Sequence, residues 1–411
     1  MPQILKSALK SLRNKITHIF APPLPSKSHK TLLILRTDAI GDYVLFSPFI
    51  KNIRAFFSDF HITLIANNCL KDLSLGLHCA EVDEFIFINP NRFQRNLFYR
   101  IRFLQTLKKR YFTLCLNPLY SRDLLCNELI SHINAQISIT PNGDDNNLSQ
   151  ALKSLDDAYY TALAPCRDGI LFEYYRNDEF CKYIFQNLQF LRENIAESSP
   201  DSTIYKTPKA HIDSALLPKL ESFIDKNTLE ILSQNYCVLF IGASQSYRKW
   251  SIQNFATIAQ YLISKYAQNI VICGGAEDAE SGKNLVNLVK SKHIIDLTGK
   301  TTLMQLAALV YNGNLVISNE SCAAHFAAFL DTAIIAVSNG NHLGRFIPYP
   351  RGISDKYYPV FHPFITENPD KYKELSNSFA YKSTLNINEI HTNEVIKIID
   401  QILKQGVKNE K

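Results

Sequence analysis

The sequence predicts an α/β protein of two doubly wound domains, each a parallel sheet with helices on both faces. Three observations lead there. Short apolar, β-branched runs alternate with segments whose apolar residues recur at helical spacing, first over 31–116 and then more regularly over 236–337. At 411 residues the chain exceeds the usual size of one hydrophobic core and suits two domains of roughly 150 to 200 residues each. Hydrophobic residues make up 46% and charged residues 20%, with 14 glycines and 17 prolines, which excludes wholesale disorder and collagen-like repeats.

Residues 1–28 read as a separate segment. Ile4, Leu5, Ala8, Leu12, Ile16 and Ile19 recur at helical spacing, while Lys6, Lys10, Arg13 and Lys15 fall mainly elsewhere on the wheel. This basic amphipathic stripe over residues 1–20 suits an anionic membrane surface, where each basic residue contributes about 1 kcal/mol, and equally suits packing on the body or a solvated tail. Pro22, Pro23 and Pro25 then form a stiff linker. Seven basic residues precede the first acid, Asp38, so beneath the formal charge of +6 the rest carries 37 basic against 38 acidic residues. A nearly neutral body lacks the sustained basic field that nucleic acid requires.

A first domain is expected over 29–215. Thr31–Arg36 reads as its first strand, and Ser47-Pro48 predicts a helix with proline in its first turn, continuing through Phe57. His61–Ala66, Glu84–Ile88 and Phe112–Leu116 read as further strands, with a basic helix over Gln94–Lys109. Residues from about 141 to 235 are polar and less regular, with helical stretches and the linker between domains somewhere inside. A second domain is expected over 216–385, with strands at 236–241, 269–273, 293–296, 314–318 and 333–337 and helices at 252–266, 278–290, 302–312 and 321–330. An irregular aromatic and proline-rich stretch runs from 345 to 363, and an amphipathic helix at 388–404 lies in a terminal segment, 386–411.

Nine scattered cysteines without a Cys-x-x-Cys pair read as reduced thiols of a cytoplasmic protein and speak against zinc. No apolar run approaches the 18 or so residues that span a bilayer, and no signal-peptide core is present.

Ligands of open parallel sheets bind beyond the carboxyl ends of the strands, and the polar clusters fall there. After the first strand comes Arg36-Thr37-Asp38-Ala39-Ile40-Gly41-Asp42, where Gly41 permits a tight turn and Asp42 suits a general base or a helix cap. After 236–241 comes Gly242-Ala243-Ser244-Gln245-Ser246-Tyr247-Arg248-Lys249, which suits a diphosphate cradle in which backbone N–H groups and hydroxyls donate and Lys249 supplies a point charge; Trp250 beyond it reads as a packing anchor. Glu277, in Gly274-Gly275-Ala276-Glu277, is placed either for ribose hydroxyls or in a plain turn. Thr301 or Thr302 caps the next helix. The last loop gathers Glu320, Ser321, Cys322 and His325 around a helix N-terminus, which favours anions; His325 suits a donor imidazole or a core histidine. No Gly-x-Gly-x-x-Gly follows either first strand, which disfavours a dinucleotide dehydrogenase.

Taken in order, Arg-x-Asp-x-x-Gly-Asp, the small-residue loop ending Lys-Trp, Gly-Gly-x-Glu, Leu-x-Gly-Lys-x-x-Leu and Asn-acid-x-x-x-x-His resemble the heptosyltransferases of glycosyltransferase family 9 over residues 31–66 and 236–350. The resemblance implies a GT-B fold of two Rossmann-like domains facing a central cleft. It also implies inverting, metal-independent transfer of a sugar, typically heptose from ADP-heptose, to a lipopolysaccharide core or related lipid-linked acceptor at the cytoplasmic face of the membrane. By the same resemblance Asp42 is the base, with Arg36 and Gly41 on the acceptor side, and Lys249 neutralises the departing diphosphate. Ser244, Glu277, Thr301, Glu320, Ser321, Cys322 and His325 line the donor site. The donor serves as substrate, and neither cofactor nor metal is implied. Two residues depart from the family pattern: Glu320 stands where Asp is usual and Cys322 where Gly is usual. They keep open another nucleotide-sugar in surface-polysaccharide synthesis, or a non-catalytic nucleotide-binding protein of the same fold.

Overall fold

A computed structural model describes residues 30–191 and 205–409. The amphipathic stripe expected over residues 1–20 and its proline linker lie outside the described residues. The chain divides into two compact units. The first holds the described residues up to Asp168 together with Tyr174–Pro208, and the second holds Gly169–Glu173 and the residues from Lys209 onward.

In the first unit, β1 (Thr31–Arg36), β2 (His61–Asn67), β3 (Glu84–Ile88), β4 (Tyr111–Leu116), β5 (Asn134–Pro141) and β6 (Ala162–Ala164) form a sheet in the order β3-β2-β1-β4-β5-β6. Each pairing is parallel. Helices cover both faces of such a sheet, so β1 reads as a continuous apolar run, Leu32-Leu33-Ile34-Leu35, with no alternation. The strand order reverses between β1 and β4, the place where doubly wound sheets bind ligands.

The helix after β1 begins at Ile40, not at Pro48, and runs to Phe56. Proline is tolerated in its interior because the Ser47 hydroxyl donates to the Val44 carbonyl at 2.9 Å, the acceptor that Pro48 has no N–H to satisfy. This moves Asp42 from a turn into the first turn of a helix, where a carboxylate favours the positive end of the dipole.

The stretch from about 141 has the helical segments expected of it, and a short strand besides. It holds the helix Gln150–Asp157, strand β6 and the helix Glu173–Asn187. A buried Arg122 organises this side: it donates to Asp156 Oδ2 (2.6 Å), Thr140 Oγ1 (3.1 Å) and the Pro141 carbonyl (2.6 Å). Contacts between residues so distant in sequence leave no periodic trace.

In the second unit, β7 (Tyr236–Phe240), β8 (Asn269–Cys273), β9 (Ile294–Asp296), β10 (Leu315–Asn319), β11 (Ile334–Ser338) and β12 (Tyr357–Phe361) form a parallel sheet in the order β12-β11-β10-β7-β8-β9. The first five strands fall within a residue of expectation. β12 lies inside the stretch read as irregular. It tolerates Pro359 because it is an edge strand paired only with β11, Ala336 opposite Pro359. Ser251 caps the helix Ile252–Tyr266, accepting from Asn254 N at 3.2 Å. Thr302 caps the helix Leu303–Asn312 in a capping box with Gln305, which leaves Thr301 outside the cap. The last helix starts at Thr392 and packs Val395 and Ile399 into the core beside Trp250 and Phe255.

Candidate functional site

The two units carry separate clusters at the carboxyl edges of their sheets. In the first, Arg36 ends β1 and is buried, with Nη2 2.6 Å from Asp38 Oδ2 and its guanidinium over the Phe46 ring at 4.6 Å. Gly41 and Asp42 sit in the first turn of the helix Ile40–Phe56, both half-buried. Among the described residues the Asp42 carboxylate makes no hydrogen bond or ion pair, so its oxygens are free to accept a proton from a bound hydroxyl.

In the second unit the strand order reverses between β7 and β10, and Asn319 closes that gap. Its Nδ2 donates to the Ile241 carbonyl at 2.8 Å and its Oδ1 accepts from Trp250 N at 2.9 Å. Trp250 is the expected anchor, buried with Nε1 on the Ile390 carbonyl at 3.0 Å. These bonds fix both ends of the loop 241–250.

From that loop Lys249 Nζ reaches Asp278 Oδ1 at 2.5 Å. Asp278 also accepts from Gly275 N at 3.0 Å, so one buried acid orders the turn after β8 and holds the lysine. The fit demands glycine: a Cβ at Gly242 would stand 2.4 Å from Asp278 Oδ2. Glu277 is exposed, its carboxylate folded over Gly275. Gly299, at φ +71°, donates from its N–H to the Gly274 carbonyl at 3.0 Å and so ties the Thr301 loop to the Glu277 loop.

A second network surrounds Glu320. Arg248 donates to Ser244 Oγ (3.1 Å), to the Glu320 carbonyl and to Glu320 Oε1 (3.2 Å). His342 Nδ1 lies 2.8 Å from the same Oε1, and Ser338 donates to Oε2 at 3.0 Å. Burial alone would raise the Glu320 carboxyl, but the Arg248 charge and the bonds from His342 and Ser338 outweigh it and hold it below the ordinary range. Ser321 N-caps the helix Cys322–Phe329 without a side-chain cap, its hydroxyl 2.8 Å from Ser318 Oγ, and Cys322 is half-buried in the first turn. His325 sits inside the unit with Nδ1 2.6 Å from Tyr349 Oη, and burial pushes it down to about 4, so it is neutral at physiological pH.

The fold therefore joins Ser244 and Glu320 through Arg248 and brings Lys249 to the Glu277 turn through Asp278. Thr301 stands on an adjoining loop. The sequence reading missed Asp278, Ser338 and His342 as site-building residues, and held Arg248 and Asn319 inside its motifs without giving either a role. Asp278 directly follows Gly-Gly-x-Glu and was within reach of that motif; His342 carried no local signal, because loop closure alone brings it to Glu320. Chemically, two consecutive cations, each on a buried acid, stand beside the N-terminus of a helix, an arrangement suited to a diphosphate. Among the described residues no group of three or more His, Cys, Asp or Glu side chains forms a metal cluster.

Comparison with known proteins finds a family likeness over part of the chain. Residues 196–354 match the model of Glycosyltransferase family 9 (heptosyltransferase), a span that contains every second-unit residue from Ser244 to His342 named above. Lipopolysaccharide heptosyltransferase 3 of Escherichia coli is 27% identical over 107 residues, which is 26% of this chain and 31% of that protein. The alignments thus span less than a third of the curated relatives' length. Among solved structures, a family 9 glycosyltransferase from Veillonella parvula superposes with a TM-score of 0.64 at 18% identity, covering 94% of this chain and 99% of that one. An E. coli heptosyltransferase solved with ADP gives 0.61 at 14% identity, covering 90% and 99%. These two share the fold of two parallel α/β units.

Proposed function

We propose that this chain, which carries a glycosyltransferase family 9 domain over residues 196–354, transfers heptose from ADP-heptose to a lipopolysaccharide core or related lipid-linked acceptor at the cytoplasmic face of the membrane. The observation that carries the reading is the pair of cations Arg248 and Lys249, each set by a buried acid at the strand-order reversal of the unit that matches the family.

In this reading the acceptor hydroxyl gives its proton to Asp42 as its oxygen attacks the anomeric carbon. The bond from that carbon to the diphosphate oxygen breaks, its electron pair leaves with ADP, and backside attack inverts the centre. Lys249 and Arg248 meet the charge that grows on the diphosphate, and their fixed positions lower the reorganisation needed during bond breaking. The dipole of the helix Cys322–Phe329 acts in the same direction. Glu277 takes the ribose hydroxyls, and Thr301 lines the nucleoside pocket. The leaving group is stabilised by these cations, without a metal.

A second nucleotide-sugar is the competing reading, favoured by Glu320, whose longer side chain is fully engaged by Arg248, His342 and Ser338, and by Cys322 where glycine is usual. Thermal stabilisation and hydrolysis across a panel of ADP-, UDP- and GDP-sugars separates the two. Selective stabilisation by ADP-heptose supports the proposal, and selective stabilisation by a UDP- or GDP-sugar replaces it.

A further inference from the structure

We propose that the first unit docks on an anionic lipid bilayer through a surface built from the helix Leu97–Lys108 and the start of the helix Leu124–His132. This surface is distinct from residues 1–20, and the inference is independent of the transferase reading, because lipid binding needs no sugar donor.

The first observation is apolar exposure. Phe98 is 87% exposed, Leu97 65%, Leu124 60% and Ile101 43%. Leu97, Phe98 and Ile101 fall within an arc of about 100° at the start of their helix, and the burial begins further along, where Leu104 and Leu107 enter the core. The Arg100–Glu128 ion pair, 2.5 Å, joins the two helices, and Leu124 lies one turn before Glu128. Both helices begin at the carboxyl edge of their parallel sheet, the edge that also carries Asp42. The exposure is not that of a frayed end. Asn96 caps the helix by accepting from Tyr99 N at 2.9 Å, Asn89 caps the preceding helix through Arg92 N at 2.9 Å, and Phe93 meets Phe103 edge to face at 6.0 Å.

The second observation is charge. From Phe85 through Arg122 the sequence has no acid and eight basic residues. Acids elsewhere pair with Arg100, Arg110 and Arg122, and Arg92 stacks on Tyr99. Arg95, Arg102, Lys108 and Lys109 remain exposed and make no ion pair among the described residues. Large apolar tips flanked by unpaired cations are the pattern of a helix lying in a membrane interface: the rings and aliphatic chains enter the headgroup boundary, and the cations meet lipid phosphates. Among the described residues no helix is long and apolar enough to cross the membrane, so the surface lies on the bilayer and does not span it.

The test is co-sedimentation of the full chain with vesicles of phosphatidylcholine alone and of phosphatidylcholine with phosphatidylglycerol, across a salt series. Two paired variants are compared, Leu97→Ser with Phe98→Ser, and Arg95→Gln with Arg102→Gln; all four positions are exposed, and circular dichroism checks the fold. Binding to the anionic vesicles that falls with salt, and that each pair weakens at least about tenfold, is the expected result. Four results overturn the proposal: no binding by the unaltered chain, equal binding to both vesicle types, both variant pairs binding like the unaltered chain, or self-association abolished by Phe98→Ser without vesicle binding, which would make a second copy the occupant.

Discussion

Lys249 Nζ lies 2.5 Å from Asp278 Oδ1, and the two side chains differ in exposure: the lysine is one-third exposed, the acid 3%. The acid is fixed from within, by Gly275 N–H and by the close approach of Gly242, so the ammonium is presented outward from a rigid seat.

Removing the lysine should therefore affect stability and binding separately. Lys249→Ala leaves a buried carboxylate with only Gly275 N–H and should cost about 1–3 kcal/mol. Adding Asp278→Asn should recover most of that loss, because the unpaired charge goes. Affinity for ADP should stay at least about tenfold weaker in both variants, since neither restores the cation. Denaturant titrations with calorimetry of ADP binding check this; ADP affinity that recovers with stability would show that the lysine only holds the loop.

Gly242→Ala tests the same seat from the other side. A methyl group 2.4 Å from Asp278 Oδ2 must displace the acid or the loop. We expect a loss of about 1–3 kcal/mol and weaker ADP binding, while the equivalent change at exposed Gly169, which has open space around it but a φ of +80° that strains an alanine, should cost stability and leave ADP binding intact. Equal losses of ADP affinity at the two glycines would contradict the packing account.

Acid should destabilise the second unit before it affects the bulk carboxylates. His325 is pushed down from 6.5 to about 4 by burial, so between these values the unfolded chain binds a proton that the folded unit excludes. Stability is then unaffected by this group above about pH 6.5 and falls as pH drops toward 4, by up to about 3 kcal/mol. Glu320, held below its ordinary range, adds loss in the same direction as it protonates at lower pH. Trp250 is the only tryptophan and lies in this unit, so its fluorescence reports the transition. His325→Gln should flatten the slope between pH 6.5 and 4; an unchanged slope would assign it to other groups.

The architecture was largely readable because central parallel strands are apolar on both faces and their helices keep a strict period, as in Ile252–Tyr266 with Phe255, Ala259 and Leu262 inward. What escaped was decided by one local side-chain bond and otherwise over long range. The start at Ile40 depends on Ser47 answering a carbonyl that Pro48 abandons, β5 on the buried Arg122, and β12 on an edge position that accepts Pro359. The site followed the same division. Residues inside short loop motifs, such as Ser244, Lys249, Glu277 and Glu320, were visible where they stand. Their partners Asp278, Ser338 and His342 become partners only after β8, β11 and the following turn are in place.

The central claim is that Asp42 takes the proton from the acceptor while the second unit binds the donor. Single-turnover transfer from ADP-heptose to a heptose-deficient lipopolysaccharide acceptor, with Asp42→Asn and the unaltered chain compared at equal ADP occupancy, tests it most directly. The account predicts transfer slower by about 100-fold or more with ADP affinity unchanged within about threefold. Transfer at close to the unaltered rate would contradict it.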